Sequence, residues 1–335
     1  MRGLLFLISI VFVASWALAR DTLLIGDSLT CGPFGAQIVK SLTRSPTESV
    51  TLYCATGSSP NNWIKGRFPR RSNDPPSYFT CRTCTGGLGC TNWFTKGNPD
   101  EGDLEPCSDP TTGTGHDLAN ILTALTARNK KKFDRVVVAL GINKGPKDTL
   151  AGDEYSDMAK IIKGKVANVD SCIWIGPPER DETKPVFDEA EFNAKISQEF
   201  KRNAGKYAID GNEQEKKAFF EALKRDAKTK AIERIEKDRR ENVEYKASLG
   251  AFYDSLKGSI DGRCTLVDSR KLMPEPKPAD TAPDGVHRQP SSARKWAARI
   301  MEEIKKLEAL GEAQDDRSRI KPGQAPEGPK SPGNP

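Results

Sequence analysis

The sequence predicts an α/β fold, a three-layer α/β/α sandwich built on a five-stranded parallel sheet. Three observations carry this expectation. Short apolar runs recur along the chain, at Leu23 to Ile25, Val50 to Ala55, Arg135 to Leu140, Cys172 to Ile175 and Cys264 to Asp268. Stretches with apolar residues at helical spacing lie between and after them, as at Leu118, Ile121, Leu122 and Leu125. Strands that alternate with helices in this way need right-handed crossovers, which give a parallel sheet covered on both faces.

The opening segment, 1–19, stands apart from that pattern. Arg2 precedes a nearly continuous apolar run from Leu4 to Trp16, and Ala17-Leu18-Ala19 fits the small-residue cleavage rule. It reads as a secretory signal peptide, too short to span a bilayer comfortably, with Arg20 opening the mature chain and an uncleaved anchor as the alternative. No later stretch is expected to enter a membrane. The first strand then breaks into Gly26-Asp27-Ser28-Leu29-Thr30-Cys31-Gly32, with Pro33 suited to a first helical position and a helix reaching Leu42. A lone serine at the carboxyl end of a parallel strand, facing a helix N-terminus, stands where open α/β sheets bind ligands.

The second strand ends at Thr56-Gly57, and regularity stops there. Residues 58–114 are rich in Gly, Pro, Ser, Thr and Asn and hold Cys81, Cys84, Cys90 and Cys107, so this insertion needs staples. A helix over 115–129 feeds the third strand, which runs into Gly141-Ile142-Asn143. A helix over 153–168 feeds the fourth, stopped by Gly176-Pro177-Pro178. Residues 181–241 read as two or three charged helices with narrow apolar stripes, either a cap over the site or a surface embellishment. Val243 to Leu256 forms the helix before the fifth strand, and Ser292 to Leu310 the closing helix. The tail, 311–335, is expected to be disordered for want of apolar residues.

The charge of +6 is spread over 52 basic and 46 acidic residues that interleave, which leaves no footprint for nucleic acid. The chemistry-bearing residues are few. Asp284-Gly285-Val286-His287 sets an acid three residues before an imidazole, and the chain has only one other histidine, His116, expected at a helix start. A serine hydroxyl needs a base within hydrogen-bond reach and an acid that holds the base in its working tautomer. Ser28, His287 and Asp284 supply these three types.

Gly-Asp-Ser-Leu at 26–29, Gly57 after the second strand, Gly-x-Asn at 141–143 and Asp-x-x-His at 284–287 resemble, in order, the four motif blocks of the SGNH, or GDSL, serine hydrolase family. The resemblance covers roughly 21–60, 113–180 and 242–310. It implies a flavodoxin-like SGNH fold over 20–310, with the two insertions outside it. It also implies Ser28 as nucleophile, His287 as base and Asp284 as its acid, with the Ser28 and Gly57 backbone N–H groups and the Asn143 side chain as oxyanion donors. Thr56 stands where many relatives have asparagine, and Lys144 where they often have aspartate.

Eight cysteines, all beyond the signal segment, point to disulfides in an oxidising compartment. The family's strand order sets the fourth strand beside the fifth and the first beside the second, which implies Cys172 with Cys264 and Cys31 with Cys54. Cys81, Cys84, Cys90 and Cys107 would staple the first insertion, with a zinc site as the alternative for these four. The expectation is a secreted or periplasmic serine esterase with no metal or other cofactor. Its substrate would be an acylated glycan, through O-acetyl groups. Lipid or aryl ester hydrolysis and acyl transfer between glycans are alternatives, as is a catalytically idle scaffold that binds envelope polymers.

Overall fold

A computed structural model describes residues 20–68, 79–86, 117–129, 133–143, 150–166, 171–203, 212–273 and 278–319. The signal segment, Cys90, Cys107, His116, Lys144 and 320–335 lie outside them. One sheet holds β1 (Asp21–Gly26), β2 (Ser49–Ala55), β3 (Phe79–Thr85), β4 (Arg135–Ala139), β5 (Ser171–Ile175) and β6 (Thr265–Val267), in the order β3-β2-β1-β4-β5-β6. Every pairing is parallel except β2 with β3. The chain winds from β1 to β2 on one side, then crosses back to β4, β5 and β6 on the other. The winding therefore reverses at β1.

Leu23, Leu24 and Val136 to Val138 are wholly buried, as expected of central parallel strands covered on both faces. The helices are α1 (Ser28–Cys31), α2 (Pro33–Leu42), α3 (Pro60–Lys65), α4 (Leu118–Asn129), α5 (Asp153–Lys165), α6 (Glu189–Arg202), α7 (Glu213–Ile260), α8 (Ser269–Leu272) and α9 (Pro290–Arg319). α2 packs on α9, where Phe34 stacks on Trp296 with ring centroids 3.9 Å apart. α5 packs on α3, α4 and the C-terminal half of α7, with the Tyr155 ring 5.5 Å from those of both Trp174 and Phe252. None of the described helices is long and apolar enough to cross a membrane.

Three expectations change. The sheet has six strands, because β3 adds an antiparallel edge from within the 58–114 insertion, which also contributes α3. Threonine at 80, 83 and 85 supplies the β-branched residues of that strand, and Cys84 faces the core. The second half of the charged insertion and the helix expected from Val243 are one helix of 48 residues, α7. No glycine or proline interrupts it before Gly250. α9 likewise continues past Leu310 to Arg319, with no proline to stop it before the proline-rich end.

Disulfides join Cys31 of α1 to Cys54 of β2, and Cys172 of β5 to Cys264 just before β6. Cys81 and Cys84 are disulfide-bonded too, which leaves neither a thiolate to offer zinc. The two described bridges close loops of very different size, with sequence separations of 23 and 92. By loop entropy, replacing Cys172 and Cys264 with alanine is expected to cost about 5 kcal/mol and replacing Cys31 and Cys54 about 3 kcal/mol. Urea unfolding of the oxidised protein and the two double variants measures both losses.

Candidate active site

The site is built at the carboxyl end of β1. Asp27 caps α1, its Oδ1 accepting from the Leu29 N–H at 3.0 Å, so Ser28 becomes the first helical residue. In that position its own N–H has no acceptor within the helix and is free to face a ligand. The Cys31–Cys54 bridge fastens α1 to the end of β2.

His287 and Asp284 arrive on a turn that precedes α9. Asp284 organises the turn through one carboxylate oxygen and the imidazole through the other. Oδ1 accepts from the N–H groups of Val286 at 2.9 Å and His287 at 3.0 Å. Oδ2 lies 2.6 Å from His287 Nδ1, and His287 Nε2 lies 2.9 Å from Ser28 Oγ. Burial pushes the Asp284 carboxyl up, but the hydrogen bond and the charge of His287 outweigh it and hold the group below its ordinary range. The turn is in turn held by Asp181, whose N–H donates to the Gly285 carbonyl at 2.8 Å and whose Oδ2 accepts from Thr281 Oγ1 at 2.7 Å.

Gly57 follows β2 with φ of 71°, the left-handed region that glycine enters at no steric cost. Asn143 follows β4, and its Nδ2 donates to the Ser58 carbonyl at 3.1 Å. One amide proton holds the side chain against the Gly57–Ser58 turn, and the second remains for another acceptor. Ser28, His287, Asp284, Gly57 and Asn143 thus collect where the strand order reverses. Sequence reasoning passed over three nearby residues: Asp27, buried beneath the serine, Arg180 on the loop after β5, and Asn242 on α7. A charged residue just past the carboxyl end of a parallel strand was the available signal for Arg180. Asn242 had none, since it lies in the middle of a charged helix.

No family model matches this chain, and no curated protein does. Among solved structures, a DUF4886 family protein from Bacteroides uniformis is similar over 84% of this chain and 82% of its own, with a TM-score of 0.42 and 12% identity.

Asp27 is 1% exposed, and burial pushes its carboxyl up to about 7, against the Leu29 N–H and the charge of His287, which pull it down. An unfolded chain loses that proton near 3.8, so between the two values the folded chain binds a proton that the unfolded chain has released. Stability therefore falls as pH rises through this window. Asp27→Asn keeps an acceptor for Leu29 and removes the charge. Its Tm is expected to gain on the wild type steadily with pH, with a small difference at about pH 4 and a large one at about pH 8. Equal differences at both would mean that Asp27 does not titrate in this window.

Proposed function

We propose that this chain is an exported serine esterase of the SGNH type that removes O-acetyl groups from glycans. One observation carries the chemistry: the hydrogen-bond chain from Asp284 through His287 to Ser28. The motif order supports the family, and the signal segment and the disulfides support export. The glycan substrate rests on export and on the habits of the family that the motifs resemble.

In this reading Ser28 Oγ attacks the ester carbonyl while His287 Nε2 takes its proton. Asp284 holds the imidazole in the tautomer with Nδ1 protonated and stabilises the imidazolium that forms. The carbonyl oxygen gains charge and draws the Ser28 and Gly57 N–H groups and the free Asn143 amide proton, donors of which one is worth about 10²–10³ in kcat. The intermediate collapses, the alcohol leaves with the proton from His287, and an acetyl group remains on Ser28. Water, deprotonated by the same imidazole, then releases acetate and restores the hydroxyl.

The wild type is expected to label covalently with a fluorophosphonate and to hydrolyse an aryl acetate, and Ser28→Ala to do neither while keeping its Tm. His287→Ala should remove nearly all turnover, and Asp284→Asn should cost less, up to about 10⁴-fold in kcat. Acetate release from acetylated glycans, set against release from longer acyl and lipid esters, separates the preferred substrate from its rivals. A wild type that neither labels nor turns over leaves the idle binding scaffold as the better reading.

A further inference from the structure

Arg180 lies on the loop after β5 and reaches back beneath the Asn143 loop. Its Nη2 donates to the Ile142 carbonyl, the oxygen of the peptide that leads into Asn143. Its guanidinium lies 4.1 Å over the ring of Tyr245, a residue of α7 that is 4% exposed. Nη1 reaches Asn242 Oδ1 at 3.5 Å, and Nε is buried with no hydrogen-bond partner among the described residues. A half-buried cation with its Nε unsatisfied is a poor way to stabilise a fold, and apolar side chains would serve that end better. The cost calls for another return.

The contacts indicate what that return is. A carbonyl pinned by a guanidinium sets the plane of its peptide, and the Ile142–Asn143 plane sets the direction in which the Asn143 side chain leaves the backbone. The residue before is held by the same loop. A Cβ added at Gly141, where φ is +134°, would come within 3.1 Å of Pro177, so the two loops run in close contact. Asn143 needs such support because it has two tasks for one amide group, one proton on the Ser58 carbonyl and the other on the substrate.

The same network reaches the other end of the site. Asn242 Nδ2 donates to the carbonyls of Lys184 at 3.0 Å and Asp284 at 3.3 Å. Gly285 packs so closely that an added Cβ would lie 2.7 Å from Nδ2. Arg180 and Asn242 thereby link the loop of Asn143 to the turn of Asp284.

We propose that Arg180 is a positioning residue for oxyanion stabilisation, aiming the Asn143 amide through the Ile142–Asn143 peptide. This rests on the esterase reading above. The test is a double-mutant cycle on the full chain with an aryl acetate, using Arg180→Met, Asn143→Ala and the two together. Arg180→Met should lower kcat by about 30-fold and leave KM within about 3-fold, because the lost contact acts in the transition state. In the Asn143→Ala background the same substitution should cost less than about 3-fold, since the donor it aims has gone. Arg180→Lys, which keeps a charged donor for the Ile142 carbonyl, should recover at least part of kcat. Where Arg180→Met fails to fold, Arg180→Lys and Arg180→Gln carry the cycle.

Losses that add in full, or an effect confined to KM, would show that Arg180 acts elsewhere and would overturn the proposal while leaving a Ser28-dependent esterase intact. A wild type without Ser28-dependent turnover or fluorophosphonate labelling would overturn the esterase reading, and this one with it.

Discussion

The position of β1 governs the site. It is paired in parallel on both edges, and its last residue, Gly26, stands level with Cys54 of β2 and Ala139 of β4. Neighbouring strands lie about 5 Å apart, so three chains leave the sheet side by side at one end. The residues that follow have little choice of neighbours. Ser28 after β1, Gly57 after β2 and Asn143 after β4 converge because the register is shared and the winding reverses between them. A one-sided edge strand could not bring in both flanking loops.

That end of the sheet is electrostatically costly. Asp27 and Arg288 are buried and Arg180 is half-buried, and burial heads the causes that move each one toward its neutral form. Fixed polar groups around a reacting centre must often be held without the relaxation that water would give them, and stability bears the loss. The rest of the sheet offsets it with continuous apolar strands and two layers of large side chains, among them Trp63, Trp174 and Trp296, each at most 1% exposed.

Much of this is legible in the amino-acid sequence. Runs of apolar residues ending in glycine marked most of the parallel strands, and the sheet they form brings Gly26-Asp27-Ser28 and Asp284-Gly285-Val286-His287 to one place. The strands' own periodicity said less about their partners. β3 escaped notice because its signal is one phenylalanine and six residues of threonine, cysteine and arginine within a long stretch of turn formers, and it is held by pairing with β2. The unbroken course of α7 was hidden by charge that reads equally well as several helices. Arg180 offered only its place after a parallel strand, and Asn242 offered nothing, for a different reason. Their roles depend on which backbone carbonyls lie opposite them, and carbonyls carry no mark in a sequence.

The hydrogen bond between His287 and Ser28 spans 259 positions. Contacts of such separation close late in folding, since the loop entropy must be met before they return anything. A chain that acquires structure from its first residues onward forms β1, β2 and the Ser28 turn well before the final turn and α9 can dock. In that interval Ser28 has its capped turn but no imidazole beside it. On the esterase reading proposed above, Ser28 meets its base only once the two ends of the domain have come together.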